Sequence, residues 1–153
     1  MPRRKTDPAA GATALQRWLG DQADAQAGLS PGQAMPALGH DTSALDQAKL
    51  PTTQRAPASG TTSDLVTAVR YTLEELATRA PGNAVEVRVP PIGAVQAITG
   101  PTHRRGTPPA IVETDPTTWL NLATGRLSWA ETCANGLVAT SGVRADLSAW
   151  LPL

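Results

Sequence analysis

The chain of 153 residues is long enough for one domain with a sizeable core and short for two. Thirteen basic residues balance thirteen acidic ones, so no net field recruits nucleic acid or an anionic membrane surface. One cysteine excludes an intramolecular disulfide, and with only two histidines, far apart, it makes no metal-ligand set. No apolar run approaches the ~20 residues of a membrane span. The start, Met1-Pro2-Arg3-Arg4-Lys5, is basic without the hydrophobic core of a signal peptide, so a cytoplasmic location is expected.

Asp7-Pro8 opens a predicted helix whose short stripe of Leu15, Trp18 and Leu19 runs to Gly20. Residues 21–62 are rich in Ala, Gln, Pro, Gly, Ser and Thr without sustained period, and read as a flexible linker or insertion. Thr62 or Ser63 caps the clearest amphipathic helix, with Leu65, Val69, Leu73, Leu76, Ala77 and Ala80 on one face and an end at Pro81-Gly82. Val85, Val87 and Val89 alternate with Glu86 and Arg88 in a half-buried strand stopped by Pro90-Pro91. In a second strand, Gly93 to Thr99, apolar residues on both faces suggest cover on both sides, which would put Gln96 inside.

A basic loop, Thr102 to Pro109, leads to a third strand, Ile111 to Thr114. Asp115-Pro116 then reads as a cap with proline in the first turn, Trp119, Leu122 and Ala123 give the buried face, and Gly125 ends the helix. Ser128 and Glu131 have the spacing of a capping box. The short helix they start carries Trp129 and Cys133 four apart, so Cys133 is expected to be a buried packing group. It ends at Asn135-Gly136, ahead of a strand from Leu137 to Thr140. Residues 143–146 fit a fifth strand or the start of a last helix bearing Leu147, Trp150 and Leu151, and both remain open.

The pattern L-x-x-A-T-G-R-L-x-W from Leu120 to Trp129, followed by Gly136-Leu137-Val138 and Ser141-Gly142, resembles the signature of sterol-carrier-protein-like domains, most closely small actinobacterial sterol carrier family proteins. Val85 to Pro91, Arg105-Gly106-Thr107-Pro108-Pro109, Val112 to Asp115 and Arg144-Ala145-Asp146-Leu147-Ser148 add to the resemblance, which covers roughly residues 65 to 153. It implies an α/β (α+β) fold, in which about five mainly antiparallel strands are covered on one face by helices. The expected organisation is an N-terminal helix over 1–20, the linker over 21–62 and the sterol-carrier-like domain over 63–153.

The residues richest in chemistry are His103, Arg104, Arg105, Gly106 and Thr107, where guanidinium and imidazole groups beside a glycine could converge on a carboxylate or phosphate. A solvated connecting loop has the same composition. Arg105, Gly106 and Thr107 gain weight because they fall on the family's R-G-T-P-P. Gln96 and Glu113 are candidate polar groups near the loop, and Trp119 and Trp129 candidate cavity walls, although tryptophans more often fill the core in a chain without phenylalanine. Asp115 is accounted for as a helix cap.

The function expected is non-enzymatic binding of a small hydrophobic, anionic ligand, such as a fatty acyl chain, between sheet and helices. No cofactor, metal, nucleic acid or integral membrane association is expected, and oligomeric state is not legible. Two alternatives stand beside it: an accessory domain of a thiol-dependent enzyme, because mycothiol-dependent isomerases look similar in one domain, and a purely structural module.

Overall fold

A computed structural model of the chain describes residues 6–27, 59–100 and 110–153. Four helices and four strands follow in the order α1 (Pro8–Ala27), α2 (Ser59–Arg79), β1 (Val85–Val89), β2 (Gly93–Ala97), β3 (Ala110–Thr114), α3 (Pro116–Ala123), α4 (Trp129–Ala134) and β4 (Val138–Ser141). The sheet runs β2-β1-β3-β4, with β1 and β3 parallel and the two outer pairs antiparallel.

The capped helices form as their local chemistry dictates. Thr117 and Thr118 donate backbone N–H to the Asp115 carboxylate at 2.9 and 3.0 Å. Ser128 and Glu131 close a reciprocal capping box. Both helices end alike, with Arg126 N–H donating to the Asn121 carbonyl and Leu137 N–H to the Thr132 carbonyl, and with Gly125 and Gly136 at positive φ.

Helices cover one face of the sheet. Val85, Val87, Val89, Ala97, Ala110 and Val112 point into that layer and meet Val69, Leu73, Leu76, Trp119, Leu120 and Leu122. Trp119 is fully buried, and its indole N–H donates to the Thr72 hydroxyl at 2.8 Å. That hydroxyl in turn donates to the Ala68 carbonyl, so the tryptophan tie between α3 and α2 leaves no polar atom orphaned. α1 lies along α2 and contributes Ala14 and Trp18, the latter 2 % exposed.

Four differences from expectation have physical causes. α1 continues through Gly20 to Ala27, because a helical glycine costs only about 1 kcal/mol and the turn just before it is held on the core by Trp18 and Leu19. The sheet has four described strands and not about five, because Gly142 at φ 92 turns the chain off its edge, and the Ala145 N–H closes a turn on the Gly142 carbonyl at 3.3 Å. Residues 143–146 are thus neither strand nor helix. β2 is an edge strand covered on one face only, which leaves Gln96 exposed. Cys133 is also exposed: on a six-residue helix only one residue, Thr132, is buried, and its hydroxyl bonds back to the Ser128 and Trp129 carbonyls.

Candidate functional site

β1 begins, β2 ends, β3 begins and β4 ends at one end of the sheet, where Val85 is in register with both Ala97 and Ala110, and Ile111 with Ser141. Two crossing segments are pinned together there. The Ile98 N–H donates to the Ala80 carbonyl at 2.7 Å, the Ala84 N–H donates to the Ile98 carbonyl at 3.0 Å, and the Thr99 hydroxyl donates to the Pro81 carbonyl at 2.9 Å. The turn after α2 is thereby stitched to the end of β2.

Ile98 is held at φ 66, an unusual conformation for a β-branched residue, and this ends β2 two residues short of Thr99. Strain of this kind persists only where surrounding contacts enforce it, and it concentrates at functional sites. Across from it, Gly82 lies so close that a Cβ there would fall on the Ile98 carbonyl. Two residues on, a Cβ at Gly100 would lie 2.7 Å from both the Ala84 Cβ and the Arg144 Nη1. A side-chain-free Gly100 therefore gives the Arg144 guanidinium its place.

His103, Arg105, Gly106 and Thr107 lie outside the described residues; the chain leaves the described fold at Gly100 and re-enters it at Ala110. The other expected site residues do not converge. Gln96 and Glu113 are exposed on the open face of the sheet, where Glu86, in register with Gln96, accepts a 2.8 Å hydrogen bond from Arg88, in register with Glu113. That hydrogen bond and the Glu86 charge raise the guanidinium pKa above its ordinary value against a desolvation cost, with a smaller contribution from Glu113. Trp119 is in the core and Trp129 half-buried against it, both on the helical side. Arg144 was legible only as part of the Arg144-Ala145-Asp146-Leu147-Ser148 motif, and nothing local marked its approach to Gly100.

Two open clefts lie elsewhere. One of about 500 Å³ is lined by Asp7, Thr13, Arg17, Asp64 and Thr67 between α1 and α2, where Arg17 and Asp64 stand 3.8 Å apart. A second, of about 340 Å³, is lined by Gln22, Asn121, Arg126 and Leu127. Among the described residues no group of three His, Cys, Asp or Glu could hold a metal ion, and no helix is long and apolar enough to cross a membrane.

The family model described as bacterial SCP ortholog matches residues 61–153. The chain belongs to this sterol-carrier-protein-like family. The match takes in α2 from its third residue, the whole sheet, α3 and α4, and thus the pinned sheet end with Ile98, Gly100 and Arg144. Membership points to binding of lipids or other hydrophobic ligands in general. No curated protein matches the chain.

Proposed function

We propose that the protein binds a small hydrophobic ligand with an anionic head, of the fatty-acyl class, without catalysing a reaction on it. The observation that carries this reading is a half-buried apolar margin along β2. Ile92, Val95 and Ile98 pack against the core but are only half-buried along the β2 edge, next to α2, and in the sequence Gly100 is followed closely by the basic His103-Arg104-Arg105. An acyl chain inserted along that margin, between β2 and α2, would bury apolar surface at about 25 cal/mol per Å². Its carboxylate would then lie at the Gly100 end of the sheet; Arg105, Gly106 and Thr107, which follow in the sequence outside the described residues, have the groups that supply charge-assisted hydrogen bonds to a carboxylate.

The test is calorimetric titration of laurate and methyl laurate. Laurate is expected to bind more tightly than the ester, and Arg105→Ala and Arg105→Lys each to weaken laurate by about 1.5–3 kcal/mol, because lysine does not reproduce the planar fork. Equal affinities for acid and ester would remove the anionic head from the proposal. Absence of binding for both would remove the ligand class.

A further inference from the structure

The strongest unassigned feature is the Arg144 side chain. β4 ends at Ser141 on the far side of the sheet from β2, and the turn from Gly142 to Ala145 carries Arg144 back over the sheet end. Its Nη1 reaches the place that a Cβ of Gly100 would otherwise contest. The side chain thus reaches from the turn after β4 to Gly100.

Nothing described neutralises its charge. Asp146, two residues on, accepts the Ser148 N–H at 2.8 Å. Glu86 is engaged by Arg88 on the open face, and Glu131 by its own capping box. No ion pair to Arg144 occurs among the described residues. A guanidinium set against a glycine, beside the enforced Ile98 conformation and without a carboxylate partner among the described residues, is arranged to take an anion.

We infer that Arg144 is a ligand-binding residue that takes a carboxylate at the Gly100 end of the sheet. This rests on the fatty-acyl reading for the identity of the tail, but the head-group site can be tested without a tail. Butyrate is titrated into the full chain while the Gly100 amide and the Arg144 Nε–H are followed by NMR. Both signals shift saturably in the unaltered protein. Arg144→Gln weakens the apparent affinity at least about tenfold, ~1.4 kcal/mol, and Arg144→Lys falls between the two. Because Arg144 is exposed and has no ion pair among the described residues, the melting temperature of Arg144→Gln stays with that of the parent, which separates lost binding from lost fold. Failure of butyrate to saturate either signal, or an affinity in Arg144→Gln within about twofold of the parent, overturns the inference. A saturable butyrate response in a protein that binds neither laurate nor methyl laurate upholds the head-group site and defeats the acyl reading alone.

Discussion

The stretch from Thr114 to Gly142 and the crossing of Ala80–Ala84 with Ile98–Gly100 are built by opposite means. In the first, each helix end is satisfied by residues two to five positions away: Asp115 by Thr117 and Thr118, Ser128 by Glu131, Asn121 by Arg126. In the second, the contacts that pin the two segments together join residues fourteen or more positions apart in the chain, such as Ala84 with Ile98 and Pro81 with Thr99. Local chemistry therefore sets where elements begin and end. Distant contacts set the position of the strained backbone and of Arg144.

The largest effect should come from the distant class. Trp18→Ala empties a site 2 % exposed on a helix that lies ahead of the matched family region, and is expected to destabilise by about 3–5 kcal/mol in urea unfolding. Stability within about 1 kcal/mol of the parent would mean that α1 merely rests on the domain. Gly82→Ala drives a methyl into the Ile98 carbonyl and should cost about 3 kcal/mol, together with a changed amide signal at Ile98. Thr72→Val keeps the shape of the side chain but strands the Trp119 indole N–H, for about 1–3 kcal/mol, read by denaturation and by the tryptophan indole resonance.

The local class should respond less. Asp115→Ala is expected to cost about 1 kcal/mol, the usual loss for a helix cap. Its pH dependence follows from the folded state: desolvation pushes the Asp115 carboxyl up, but hydrogen bonds from the Thr118 hydroxyl and the Thr118 and Thr117 N–H groups outweigh it and hold the pKa below the ordinary value. A depressed folded pKa gives stability that is fully present above the unfolded value of ~3.9 and lost as pH falls through the folded one. Glu131, through the Ser128 hydroxyl and N–H, and Asp146, through the Ser148 N–H, are shifted the same way. The melting temperature should thus fall below about pH 4, less steeply in Asp115→Ala than in the parent. Smallest of all is Cys133→Ala, expected within about 0.5 kcal/mol of the parent, with rapid maleimide labelling of the native thiol.

The same division explains what the sequence disclosed. Asp115, Ser128 with Glu131, Gly125 and Gly136 were legible because a cap is a relation between near neighbours. The alternation of Val85, Val87 and Val89 was legible because one covered face has a period of two. Gln96 was misplaced because its environment depends on β2 lying at the sheet edge, a property of strand order and not of the strand's own residues. Cys133 was misplaced because a six-residue helix is too short for spacing to define its buried side. Ile98 gave no local sign, since an isoleucine at positive φ is imposed by Ala80 and Ala84. The basic stretch His103-Arg104-Arg105 was visible as composition and lies outside the described residues, whereas Arg144 needed the folded chain to bring it to Gly100.

The most direct test of the account is to map laurate binding residue by residue with amide chemical shifts. The account predicts that the changes concentrate on Ile92, Val95, Ile98, Gly100, Ala110 and Arg144, with little response in α4 or in the Asp7, Arg17 and Asp64 cleft. Changes centred on that cleft, with the Ile98 to Gly100 amides unmoved, would contradict it.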